Sequence, residues 1–197
     1  MSNPIAAESL DQVFRDARSY HQFSNQEVTD ETIQQVYALT CLGPTAYNSQ
    51  PARYLFIKSP EMKQRLSPAL TAGNRSKTLA APVTVVVAWD REFFEVLPKT
   101  YPSFDVKAMF DQEPRRIEPT GLLNASLQAG YLFLAARALG LQVGPMSGFD
   151  NALVDKEFFP DFRFKSLVLA NLGYSGDQSE LRPRFPRLHF DQVAAIL

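Results

Sequence analysis

The chain has 197 residues, with 20 Lys and Arg against 21 Asp and Glu and a formal net charge of -1. That balance argues against a nucleic-acid binder or a polybasic membrane anchor, and 45% hydrophobic residues suffice for one well-packed domain over 1–197. A single cysteine, Cys41, excludes an intramolecular disulfide. With only two distant histidines, His21 and His189, it makes a zinc site improbable, and no other metal-ligand pattern stands out. No apolar run is long enough to span a bilayer, and the acidic N-terminus lacks a signal core. A cytoplasmic protein is expected.

In chain order, residues 4–18 read as a helix with an apolar stripe of Ile5, Leu10, Val13, Phe14 and Ala17. A second helix is expected from Asp30, as N-cap, to Gly43-Pro44. Tyr54–Ile57 reads as a short strand and Glu61–Leu70 as a helix. The β-branched run Pro82–Trp89 reads as a strand buried on both faces. Residues 91–119 interleave aromatics with prolines, which predicts short helices joined by turns. Their aromatics are expected to form a local core. Residues 120–140 carry no charge until Arg137 and are apolar on every side, so this helix must be covered by a core or by a partner subunit. Gly140 is its expected C-cap. Leu167–Leu172 is a further buried strand, and a basic stretch, LRPRFPRLHF, precedes a short apolar tail. The whole predicts an α+β protein, a central sheet flanked by helices.

Four segments stand out. Arg18, Ser19 and His21 close the first helix with two basic groups and a hydroxyl, which suits a phosphate. Pro44, Thr45, Ala46, Asn48 and Gln50 make a rigid polar turn of the kind that hydrogen-bonds a flat heterocycle. Asn74 and Lys77 form the third segment, and an Asn amide can both donate to and accept from a ring. The fourth is Pro145, Met146, Ser147 and Gly148, where a glycine lets backbone amides approach a ligand closely. Arg182 and Arg184 lie in the basic stretch, with Arg187 as a structural ion-pair candidate. Taken singly, each segment also fits an ordinary cap, loop or turn. A Gly-rich dinucleotide fingerprint and a Walker-type loop are both absent.

Together, and in this order, the segments resemble the nitroreductase-like flavoproteins over nearly the whole chain. The stretches GPTAYNSQPAR, APVTVVVAWD and GLQVGPMSGFD are closest to the malonic semialdehyde reductase branch. The resemblance implies a three-layer fold with a mixed or antiparallel sheet, an intertwined homodimer, bound FMN, and NADH or NADPH as cosubstrate. Arg18, Ser19, His21, Arg182 and Arg184 would then meet the FMN phosphate. Pro44, Thr45, Ala46, Asn48 and Gln50 would lie near the ring or ribityl chain, in part from the second subunit. Asn74 would face the pyrimidine ring, with Lys77 at the site mouth. Ser147 and Gly148 would present amides to the reactive edge beside Pro145 and Met146. Ala17 stands where an arginine is usual, so one phosphate contact is lost or replaced from elsewhere.

The implied reaction is ping-pong hydride transfer, with malonic semialdehyde reduced to 3-hydroxypropionate and Arg53 as candidate for its carboxylate. Tyr47, Tyr101, Arg53 and water are the possible proton donors. Broad nitroaromatic or quinone reduction is the alternative within the class. A flavin-binding protein without nicotinamide turnover is the alternative outside it.

Overall fold

The structure is a computed structural model that describes residues 3–176, 181 and 183–197. Helix α1 (Ala7–Leu10) continues as a π-helical stretch, Asp11–Arg15, closed by Asp16 N–H donating to the Asp11 carbonyl at 2.8 Å. This is shorter than the expected 4–18. Of its apolar stripe only Ala17 is buried, while Ile5 and Phe14 are exposed. Helix α2 (Asp30–Thr40) is capped by Thr29, whose hydroxyl accepts from Thr32 N–H. The cap is therefore one residue earlier than expected: Asp30 sits in the first turn, where the helix dipole favours an acid.

Strand β1 (Ala52–Ile57) is followed by α3 (Pro60–Leu66), a single 3₁₀ turn, Ser67–Ala69, and α4 (Ala72–Ala80). Strand β2 (Val83–Asp90) is buried at every position. It lies inside the sheet, so both faces are covered, as its unbroken apolar run required. Residues 91–119 contain two short helices, α5 (Leu97–Thr100) and α6 (Val106–Gln112). Phe93, Leu97, Val106 and Phe110 form a separate small core there, with the Phe93 and Phe110 rings edge-to-face at 5.2 Å.

The longest helix, α7 (Ile117–Ala138), is followed by Gly140 at φ +83°, a conformation that suits glycine at a helix end. After it come β3 (Gln142–Met146), α8 (Asn151–Phe158), β4 (Phe164–Gly173) and the short α9 (Phe190–Val193). The composition around β3 reads as turn, because Gly144 and Pro145 interrupt it. The strand tolerates a proline because it lies at a sheet edge.

The four strands run in the order β1-β2-β4-β3, and every neighbouring pair is antiparallel. The mixed-sheet option is therefore not realised among the described residues. Side chains of β2 alternate between two cores. Val83, Val85, Val87 and Trp89 pack under α2 and α7, whereas Val86 and Ala88 pack under α3 and α8. The result is an α+β fold with helices on both faces of an antiparallel sheet.

Helix α7 is only half covered. One side buries Ala125, Ala129, Leu132 and Ala136, together with two polar residues, Asn124 and Gln128. Their amide oxygens accept from Ala46 N–H at 2.7 Å and Ala52 N–H at 2.9 Å, which satisfies a loop and the start of β1. The other side exposes Leu123, Leu127 and Tyr131, spaced four apart. No helix among the described residues is long and apolar enough to cross a membrane.

Candidate functional site

The end of the first helix and the chain's basic stretch meet at one place. Tyr20 N–H donates to the Val143 carbonyl at 3.1 Å, which ties the segment after α1 to the edge of β3. This brings Arg18, Ser19 and His21 beside Arg184 around a cavity of about 450 Å³. Arg184 Nη2 donates to the carbonyls of Phe14, Arg15 and Ala17 at 2.8–2.9 Å. Arg18 Nη1 donates to those of Arg15 and Ala17 at 3.0 Å. These carbonyls belong to a helix end, where acceptors lack intrahelical donors. Arg137, from the last turn of α7, also lines the cavity, as does Arg187. Arg187 bonds the carbonyls of Phe185 and Pro186, and among the described residues it forms no ion pair. Among the described residues no carboxylate lines the cavity. The donor set therefore suits an anion of phosphate size and charge. Arg182 lies outside the described residues.

A second cluster adjoins the first through His21. Lys77 Nζ lies 3.4 Å from His21 Nδ1, and burial lowers the Lys77 pKa. One turn earlier on α4, Asn74 Nδ2 donates to the Gly148 carbonyl at 2.8 Å. Thr71 joins it, donating to the same carbonyl from its hydroxyl at 2.9 Å and from its N–H at 3.2 Å. A Cβ on Gly148 would stand 2.7 Å from Asn74 Nδ2 and 2.9 Å from Thr71 Oγ1, so a side chain there would displace the two groups that bond its carbonyl. Ser147 is exposed beside it. Pro145 and Met146 belong to β3. The Met146 side chain is buried against Thr78, whose Oγ1 lies 3.6 Å from its sulfur, so it packs the core, not a surface site.

The remaining predicted residues lie elsewhere. Pro44, Thr45, Ala46, Asn48 and Gln50 occupy a loop held by Asn124, near the start of α7, whereas the arginine cavity includes Arg137 near its end. Thirteen residues of helix separate the two anchors, roughly 20 Å along the axis. The loop is strained, with Tyr47, Asn48 and Gln50 at φ 55°, 50° and 43°. Its amides satisfy one another: Gln50 Nε2 donates to Asn48 Oδ1 at 2.9 Å, Asn48 Nδ2 to the Thr100 carbonyl at 2.9 Å, and Gln50 N–H to Thr45 Oγ1 at 3.1 Å. The Tyr47 and Tyr101 rings meet edge-on at 5.9 Å.

Arg53 fastens this loop. Its Nη1 donates to the carbonyls of Gln50 and Ala52 at 2.9 Å, and its Nη2 to Asp90 Oδ2 at 2.5 Å. Asp90 is fully buried and also accepts two bonds from Arg163 at 2.8 Å and one from Glu92 N–H at 2.9 Å. Burial alone would raise its pKa. The Arg163 and Glu92 hydrogen bonds and the two positive charges outweigh that effect and hold it below the usual carboxylate value. Sequence reasoning missed Asp90, Thr71, Asn124 and Arg137. Arg137 alone had a visible signal, as the first charge in a long uncharged helix.

The fold and the two clusters define a nitroreductase-type protein, and the family comparison agrees. The Nitroreductase family model matches residues 14–174, and the chain belongs to that family. A Stutzerimonas stutzeri (strain A1501) protein, provisionally named NADH dehydrogenase/NAD(P)H nitroreductase, is 50% identical over 196 residues, covering 100% of both chains. Among solved structures, a provisionally named nitroreductase, ydfN of Bacillus subtilis, superposes with a TM-score of 0.86 at 21% identity, over 98% of this chain and 100% of that one. A provisionally named Exiguobacterium sibiricum nitroreductase, solved in complex with FMN, gives 0.79 at 21% identity over 100% of both chains.

Proposed function

We propose that the protein is an FMN-dependent NAD(P)H oxidoreductase of the cytoplasm, acting as a homodimer of single-domain chains spanning 1–197. The observation that carries this reading is the join of two clusters at His21. An arginine cavity with no carboxylate among its described lining residues suits a phosphate, and the Asn74–Gly148 cradle beside it suits the edge of a flat ring. Bound FMN would supply the chemistry that no side chain here supplies, accepting a hydride from the nicotinamide and passing it to a second substrate. The chain's own part is to bind, orient and tune. Arg18, Ser19, His21 and Arg184 would hold the phosphate. Asn74 and the 147–148 backbone would orient the ring, and the positive charge of Lys77 would favour a developing negative charge.

The 44–50 loop is anchored at Asn124, roughly 20 Å along α7 from Arg137 in the arginine cavity. In a homodimer it would serve the partner's site. The exposed stripe Leu123, Leu127 and Tyr131 supports that arrangement, since an apolar helix face needs cover.

For the acceptor, the sequence resemblance favours malonic semialdehyde, reduced to 3-hydroxypropionate. A second reading, broad reduction of nitroaromatics or quinones, is favoured by Arg53, whose guanidinium is engaged by Asp90 and two carbonyls. Anaerobic stopped-flow separates them. Purified protein is expected to be yellow, to bleach with NADH or NADPH, and to recolour on addition of acceptor. Faster recolouring with malonic semialdehyde than with a nitroaromatic supports the first reading, and the reverse order supports the second. Bound flavin that neither nicotinamide bleaches would defeat both.

A further inference from the structure

The cavity at the end of α7 gathers cations, and among the described residues no carboxylate lines it to balance them. Arg18, Arg184 and Arg187 each direct a guanidinium to backbone carbonyls. Arg137 differs. Among the described residues its Nη1 makes only a long 3.5 Å approach to the Val13 carbonyl, and its buried Nε has no hydrogen-bond partner. Burial, followed by the charge of Arg184, lowers its pKa. A half-buried guanidinium beside another one is unfavourable by itself, because desolvation and like-charge repulsion both oppose the charged form. An anion between the two attracts both guanidiniums and outweighs these effects. The backbone there is also fixed, since Gln12 Nε2 donates to the Arg137 carbonyl at 2.7 Å.

We propose that Arg137 is a phosphate-binding residue, which with Arg184 holds a phosphomonoester dianion in this cavity. A planar guanidinium offers two parallel N–H donors to such a group, which a lone ammonium cannot. The assignment rests on the flavin reading above, in which the phosphomonoester is that of FMN. The same chemistry is carried by the 2′-phosphate of NADPH and by inorganic phosphate, and the test separates these sources.

The full-length protein, stripped of flavin, is titrated with FMN and with riboflavin, which lacks the phosphate. Arg137→Gln is expected to weaken FMN binding about tenfold or more and to leave riboflavin unchanged. Arg137→Lys, which restores the charge but not the fork, should recover part of the loss. Ligand-free Arg137→Gln should melt no lower than wild type, because an unbalanced cation has gone, while the FMN-induced rise in Tm shrinks. Equal weakening of FMN and riboflavin would overturn the proposal in favour of a packing role. So would a changed preference for NADPH over NADH with an unchanged FMN-to-riboflavin ratio, which would assign the cavity to the cosubstrate. If wild type binds neither flavin, the flavin reading fails separately, and calorimetric titration with inorganic phosphate decides the site. Binding that Arg137→Gln abolishes would uphold it, and no binding by wild type would overturn it.

Discussion

At the scale of single residues, Asp90 shows how a buried charge can organise a distant loop. It accepts from Arg53 and Arg163, and Arg53 in turn holds the carbonyl of Gln50 in the strained turn. The depressed pKa sets the direction of the pH dependence. A carboxylate ionised more readily in the folded than in the unfolded chain adds stability above the unfolded value, about 3.9, and that increment is lost as pH falls through the lower folded value. Thermal unfolding of wild type should therefore lose this contribution below about pH 4. Asp90→Asn should cost about 2 kcal/mol at pH 7, with the deficit narrowing under acid. A deficit that stays constant from pH 7 to pH 3 would show that the charge is not what matters. Arg53 itself was legible as a cation near the loop, but its engagement by Asp90 was not, because Asp90 is 37 residues away at the end of β2.

Among the elements, β2 and α7 were the most legible, for one reason. Each carries a long run without charge, β2 up to Asp90 and α7 from Pro119 to Ala136, and such runs form strands inside a sheet or helices that need cover. Strand β3 and helix α8 were not resolved by pattern, since β3 contains Gly144 and Pro145 and draws its order from pairing with β4. Helix α7 also carries a prediction of its own. Its outer stripe has no cover among the described residues, so Leu127→Glu should place a charge in the proposed dimer interface. Light scattering should then report the monomer mass, with flavin lost in parallel because each site would lack its loop. A dimer of unchanged mass would remove this face from the interface.

On the scale of the whole molecule, the short helix α9 and the residues after it are exposed, with Phe190, Val193, Ile196 and Leu197 all open to solvent. An apolar segment of this kind gains little by remaining on its own chain, and a second subunit offers it cover. A chain ending at Leu188 keeps Arg184 and Arg187. It should retain the circular dichroism of the core but show a melting temperature that rises with protein concentration, the sign of a weakened dimer. A melting temperature independent of concentration and equal to that of wild type would leave the tail without an assembling role. The sequence by itself determined the α+β class, the buried β2, the long helix α7 and a local core around Phe93 and Phe110, although Phe104 of the same segment is exposed. Those follow from periodicity, composition and motif order, which are local properties of a chain. Only the tertiary structure decided that Met146 faces the core, that Arg53 is tied to Asp90, and that the 44–50 loop stands roughly 20 Å along α7 from the arginine cavity. It also decided that Arg137 closes that cavity, because which side chains meet across more than a hundred residues depends on how the sheet and α7 pack, and no local pattern records that.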